Sequence, residues 1–356
     1  MLRYLEPIKG RGAPDNANNR FEVLGYHLDT DITDVSVLEN PDRPKTQFFK
    51  DSSKTIINKN DSPDIGFSYS VNPYRGCEHG CIYCFARPTH EYLGFSPGID
   101  FETKIMVKEN APQLLRKELS KKSWQADPIA FGINVDAFQL VERKLELSRR
   151  CLEVFAEFRQ PVTCITKNFL ITRDIDYLSM LARDQAVLVL VSITSLDQSL
   201  QSKMEPRTSI PQKRLEAIRT LTDAGIPVGV MVAPVIPGLT DHEILPIMDA
   251  AKKAGAVTAG HTLVRLPFAV KDLFENWLTA HFPERKDKVL ARIRDVRGGK
   301  LNDPNFGSRM RGQGIFAEQI HATFKIGRQK LGFGHFAGLS SAAFRSPRGK
   351  QMGLFA

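Results

Sequence analysis

Cys77, Cys81 and Cys84 stand in one short stretch, Asn72-Pro-Tyr-Arg-Gly-Cys-Glu-His-Gly-Cys-Ile-Tyr-Cys-Phe-Ala-Arg87. Three residues separate the first pair and two the second. Thiolates this close in the chain can converge on one centre, and three of them fall one ligand short of a closed tetrahedral site. A metal centre that lacks one protein ligand is usually a working centre, because the open position takes substrate or water. Gly76 and Gly80 let the backbone turn tightly between the ligands. Thiolates suit iron–sulfur clusters and zinc alike. A zinc knuckle completed by His79 or His90, serving as a nucleic-acid-binding module without catalysis, is therefore the rival reading. In the cluster reading both histidines are loop-shaping hydrogen-bonders.

The elements that must position this loop follow from hydrophobic periodicity. Residues 67–71 alternate apolar and polar and read as a strand delivering the cysteines. Further strands fall at residues 128–135, 161–166, 186–194, 227–233 and 257–266; those at 186–194 and 227–233 are continuous apolar runs of the kind buried on both faces of a parallel sheet. Amphipathic helices alternate with them, starting near Asn110, Leu145, Asp174, Pro211, Asp241 and Val270. Asn110 and Asp174 are the expected caps. Strand–helix alternation means a parallel sheet with right-handed crossovers. The expected fold is therefore α/β, a partial (βα)6 TIM-type barrel over residues 66–282. An irregular extension (1–65) precedes it, and a basic helical appendage with a mobile tail (283–356) follows. On such scaffolds the site lies at the C-terminal ends of the strands, which is where the cysteine loop stands.

Composition bounds the compartment and the partners. The 356 residues are 42% apolar and 25% charged, as in ordinary globular proteins. The N-terminus has no apolar segment of the secretory kind, and the longest apolar runs are too short to span a bilayer. Five cysteines, three of them clustered, fit a reducing compartment better than a disulfide framework. The expectation is a cytoplasmic protein that does not meet the membrane. The formal charge of +9 is uneven, since residues 281–356 hold 15 Lys and Arg against 5 Asp and Glu. A basic segment of this kind is either a solvated face or a binder of phosphates, so nucleic acid is the candidate partner of residues 283–350. Gly332, Gly334 and Gly338 follow a helix and not a strand, and are discounted as a dinucleotide loop.

The cysteine spacing, with Tyr83 just before the third cysteine, resembles the signature of the radical S-adenosylmethionine (SAM) superfamily. Later blocks extend the likeness over residues 60–330: "INVDAFQLVER", "ITKNFLITRDIDYL", "VSITSLDQSLQSKMEPR", "VMVAPVIPGLTDHE" and the "RGGK…RMRGQG" tail. They resemble the branch related to spore photoproduct lyase, and within it an uncharacterised bacterial, DNA-repair-photolyase-like subgroup.

The resemblance implies that Cys77, Cys81 and Cys84 hold a [4Fe-4S] cluster whose open iron binds SAM. Reductive cleavage then yields a 5′-deoxyadenosyl radical that abstracts hydrogen from a substrate, with nucleic acid leading and a protein or small metabolite as the alternative. It also implies an electron donor of the flavodoxin or ferredoxin type. Lys167 would meet the SAM carboxylate, Ser192 a ribose hydroxyl, and Tyr83 the adenine. Their bland alternatives are a solvated lysine, a strand serine and a packing aromatic. Relatives usually read Thr-Asp-Pro-Tyr-Gln-Pro after the second strand. This chain keeps Asp136 and Gln139 there, with Phe138 for the tyrosine and Val135, Ala137 and Leu140 elsewhere. Asp136 is expected to face the cofactor site. Glu205, Arg207 and Arg214 are either ligand contacts or an internal ion pair. Spore photoproduct lyases return hydrogen from an additional cysteine. Cys151 on an apolar helix face and Cys164 on the outward face of its strand are poor candidates for that role.

Overall fold

The computed structural model describes residues 7–21, 44–334 and 336–346. Its first strands are β1 (Gln47–Lys50) and β2 (Ile57–Lys59). β2 runs antiparallel to β3 (Tyr69–Val71), the first of six parallel strands. The loop after β3 holds the cysteines and a short strand β4 (Tyr74–Arg75). It continues through α1 (Ile99–Thr103), β5 (Lys104–Val107) and α2 (Ala111–Leu119). β5 pairs parallel with β1 and antiparallel with β4, a small sheet that buttresses the cysteine loop from outside the barrel.

The remaining units follow in strict alternation: β6 (Ile129–Phe131), α3 (Glu142–Leu145) and α4 (Leu147–Phe158), then β7 (Val162–Thr166) and α5 (Ile175–Arg183). Next come β8 (Val187–Ser192), α6 (Gln198–Met204) and α7 (Pro211–Asp223), β9 (Val228–Val235) and α8 (Ile244–Lys253), β10 (Thr258–Leu263) and α9 (Val270–His281). The spatial order of the large sheet is β10-β9-β8-β7-β6-β3-β2. From β3 to β10 every pairing is parallel, which makes the expected six-stranded partial barrel.

The core explains the pattern. Val187, Val189, Val191, Val228, Val230 and Val232 are all buried beneath Leu178, Leu181, Ile218, Leu221, Ile247 and Met248 of the covering helices. The helix expected to begin near Leu145 is broken at Glu146, whose φ of 50° forces a turn between α3 and α4. Neither expected cap bonds a helix end through its side chain. Asp174 is drawn instead to two guanidinium groups, Arg149 at 2.9 Å and Arg173 at 2.8 Å, charged donors that outcompete a backbone N–H.

The flanks share cores with the barrel. α10 (Pro283–Asp295) buries Val289, Leu290 and Ile293 in the same cluster as Trp277 and Leu278 of α9. After the short α11 (Ser308–Arg311), α12 (Gly314–Lys330) buries Ala317, Ile320 and Phe324 in the main core. The tail expected to be mobile is packed as far as residue 346. Phe333 is buried, the Phe344 ring lies tilted against Phe158 with centroids 6.3 Å apart, and the Arg345 amide donates to the Phe158 carbonyl at 2.9 Å. Two aromatic anchors outweigh the small residues around them. Residues 347–356 lie outside the described residues, as do 1–6 and 22–43 of the extension. No helix among the described residues is long and apolar enough to cross a membrane.

Candidate active site

The cysteine loop is held from three sides. From behind, Arg87 donates to the Cys81 carbonyl at 3.0 Å and pairs with Glu102 at 2.5 Å, both side chains fully buried. Glu102 also accepts the amides of Gly12 at 3.1 Å and Ala13 at 2.8 Å, so the N-terminal segment lies against the loop. The approach is so close that a Cβ on Gly12 would fall 1.7 Å from the Gly80 carbonyl oxygen. Gly80 itself has φ of +65°, a conformation that costs a side-chain-bearing residue strain. From the β6 side, Gln139 accepts the Glu78 amide at 2.8 Å and donates to the Gly76 carbonyl at 3.3 Å, while the Val141 amide donates to Glu78 at 2.6 Å. Gln139 thus splints the loop. From the α6 side, the Ile82 amide donates to the Met204 carbonyl at 3.0 Å.

These braces leave all three cysteines free of disulfides and facing one cavity of about 560 Å³ at the C-terminal ends of the strands. Burial pushes the Cys77, Cys81 and Cys84 thiols up, and mutual repulsion of their thiolates adds to this for Cys77 and Cys81. A centre carrying positive charge offsets both costs. Zn–S bonds of about 2.3 Å require ligands crowded around one point. Among the described residues no three His, Cys, Asp or Glu side chains are grouped to hold a single metal ion. His90, one of the two histidines weighed for a zinc site, bonds the Lys104 carbonyl at 2.9 Å, and burial lowers it to about 4. His79 lies between Asp136 at 3.3 Å and Asn168 at 3.3 Å. The three thiols that line the cavity are donors of the kind a thiolate-bound cluster would use.

Tyr83, Asp136, Lys167 and Ser192 all line that cavity. Lys167 follows β7, and its Nζ is 3.5 Å from the Ala233 carbonyl and 5.9 Å from the centre of the Tyr83 ring. Its charge acts on both Cys81 and Cys84, offsetting part of the rise that burial imposes. Ser192 closes β8, and its carbonyl accepts from Arg214 at 2.9 Å.

Asp136 is placed at the cavity, yet its oxygens are taken by the polypeptide. They accept from the Thr166 hydroxyl at 2.8 and 3.0 Å, the Lys167 amide at 2.7 Å and the Phe138 amide at 2.9 Å. Burial would raise its carboxyl, but His79 and these donors prevail and hold it below the usual carboxylate range. The side chain joins the β6 loop to the end of β7.

Glu205 resolves to the internal ion pair with Arg214, both side chains fully buried. It also accepts from the Tyr83 phenol and from Thr194 at 2.7 Å. Burial would raise Glu205; Arg214 and Lys167 outweigh it and bring the carboxyl to about 2. Arg207 pairs with Glu78 at 3.5 Å. Cys151 and Cys164 are buried in the helix-facing core, away from the cavity.

Sequence reasoning missed part of the lining. Asn58, Lys59, Asn60 and Ile65 come from the extension, Phe67 from just before β3, Arg265 from just after β10, and Met310 from α11. Only Arg265 had a usable signal, a charged residue near the C-terminal end of the strand expected at 257–266.

The profile of the radical SAM superfamily matches residues 71–251. An uncharacterised protein of Mycobacterium tuberculosis is 36% identical over 265 residues, 72% of this chain and 76% of its own. A radical SAM Nalpha-GlyT isomerase of Pseudomonas phage M6 is 24% identical over 258 residues, 72% of this chain and 51% of its own. Among solved structures, spore photoproduct lyase complexed with dinucleoside spore photoproduct superposes with a TM-score of 0.58 at 16% identity, covering 80% of this chain and 79% of that one. A variant of that lyase with bound AdoMet gives a TM-score of 0.56 at 15% identity.

Proposed function

The chain belongs to the radical SAM superfamily and is a radical SAM enzyme, and from that premise we propose that Cys77, Cys81 and Cys84 hold a [4Fe-4S] cluster beside a SAM site formed by Tyr83, Lys167 and Ser192. The observation that carries this is that three free thiols, one lysine and one strand-end serine all line a single cavity. When bound, the cluster supplies the electron that cleaves SAM into methionine and a 5′-deoxyadenosyl radical.

The chain's own residues do the rest. Lys167 offers its ammonium to the carboxylate of SAM, and Ser192 its hydroxyl to the ribose. Tyr83 presents its ring, held by Glu205 and Thr194, to the adenine. Asp136 is a positioning residue that holds the Lys167 backbone and the His79 ring. The apolar walls, including Leu190, Met231 and Phe67, keep water from the reactive carbon.

Nucleic acid is the proposed substrate, supported by the basic C-terminal segment and by Arg265 and Met310 at the cavity. The electron donor is proposed to be of the flavodoxin or ferredoxin type. Anaerobic reconstitution should give about four iron and four sulfide per chain. With dithionite and SAM it should then give 5′-deoxyadenosine, and Cys77→Ala, Cys81→Ala and Cys84→Ala should each lose both. Full iron and sulfide with no 5′-deoxyadenosine would sink the proposal.

A further inference from the structure

Arg265 is an unusual arginine for this molecule. The other deeply buried guanidinium groups each meet several acceptors, although the Arg297 Nε is also without a partner. Arg87 meets Glu102 and three carbonyls, Arg214 meets Glu205 and two carbonyls, and Arg297 meets four carbonyls through its terminal nitrogens. Among the described residues Arg265 makes no ion pair, and its hydrogen bond is to the thioether of Met310 at 3.5 Å. Its Nε is buried without a partner. The neighbouring carboxylate, Asp64, is committed to Arg309 through two bonds of 2.7 Å and to the Gly307 amide at 3.1 Å. Burial and the repulsion of Arg309 disfavour the charged form of Arg265. Stripping a guanidinium of water without giving it an anion costs free energy. In enzymes such a cost recurs where a ligand repays it.

The residue stands where a ligand would need it. Arg265 follows β10, lines the same cavity as the three cysteines, and lies 5.6 Å from the ring of Phe85, the residue after Cys84. Lys59 lines the same cavity from the extension. A planar fork of donors in apolar surroundings suits the paired oxygens of a phosphate or carboxylate.

We infer that Arg265 is the anchor for an anionic oxygen group of the substrate, a phosphate or a carboxylate, held in the cavity beyond the end of β10. This rests on the proposed function, and names the chemical class of its substrate.

The test uses three probes with one aromatic body: phenyl phosphate, benzoate and benzyl alcohol. They are titrated by ligand-observed NMR into cluster-reconstituted full chain saturated with SAM, so that the proposed SAM site is filled. Wild type should bind one of the anions at least about tenfold tighter than the alcohol, the margin of a charge-assisted pair. Preference for phenyl phosphate assigns a phosphoester substrate, and preference for benzoate a carboxylate. Arg265→Gln should abolish the anion preference while SAM affinity stays within about twofold. Arg265→Lys, which keeps the charge and loses the fork, should retain part of it and serves as the readout if the glutamine variant fails to fold. The inference is overturned if wild type shows no anion preference, if the preference survives in either variant undiminished, or if Arg265→Gln weakens SAM binding tenfold. The proposed function is judged separately, by 5′-deoxyadenosine formation in the wild type.

Discussion

Tyr83 is pinned by its phenol, and the pinning has a measurable cost in acid. Its partner Glu205 is fully buried, and Arg214 and Lys167 bring its carboxyl to about 2 against an ordinary 4.5. A depressed carboxyl stabilises the fold above its unfolded value and loses that contribution as the pH falls through the folded one. Glu205 therefore contributes on the order of 3 kcal/mol near neutrality. That contribution is complete above about pH 4.5 and lost toward pH 2. Glu205→Gln should cost about 3–5 kcal/mol in urea unfolding, because Arg214 is left buried and unpaired. Adding Arg214→Met should recover much of that loss and flatten the stability profile between those pH values. At the proposed SAM site, Lys167→Gln removes one charge-assisted bond and should weaken SAM binding about 10–100-fold by calorimetry, with the iron content unchanged. Loss of iron together with SAM binding would show that Lys167 supports the loop instead.

The elements around the cysteine loop act as clamps, and the N-terminal segment is one of them. Residues 11–13 reach the loop through Glu102 and leave no room for a Cβ at Gly12. Gly12→Ala should therefore displace the Gly80 turn. The expected result is a reconstituted protein with iron content well below the wild type and an unfolding midpoint little changed, because the barrel core lies elsewhere. Full cluster content in this variant would mean that the segment yields freely. At the other end, Phe333 and Phe344 tie the tail to the main core. Removal of residues 331–356 exposes their apolar partners and should cost about 2–4 kcal/mol by the usual burial scale.

At the scale of the whole molecule, the two flanks meet over the cavity. Asp64 of the extension and Arg309 of α11 are 245 residues apart in sequence and form a two-bond ion pair, with Ser62 and Gly307 alongside. Ile65 and Met310, next to that pair, line the cavity. Asp64→Asn should raise hydrogen exchange in residues 58–67 and 305–312 and leave the sheet strands protected, since only the clasp is cut. The basic C-terminal segment makes a second prediction. If the substrate is nucleic acid, the logarithm of its binding constant should fall with the logarithm of salt at a slope near −0.9 for each phosphate neutralised on a duplex. A slope near zero would remove the basic segment from binding.

What the sequence determined by itself was local. The strand–helix alternation needs only a period of 2 or 3.6 residues, so the six parallel strands and their order of appearance were legible. The three cysteines and Gly80 lie within one turn of chain, and Lys167 and Ser192 are set at strand ends by the register of their own strands. What only the tertiary structure decided depends on partners far away in the chain. The carboxylate of Asp136 is taken up by Thr166 and the Lys167 amide, 30 and 31 residues on, so a residue expected to face the cofactor site also ties two strand ends together. Asn58, Phe67, Arg265 and Met310 gather on one cavity from three separate regions. That Arg265 makes no ion pair among the described residues becomes visible only once Asp64 is seen bonded to Arg309. Periodicity and spacing record how a segment folds on itself. Which distant groups neutralise a charge, and which charge is left over, is settled only when the segments pack.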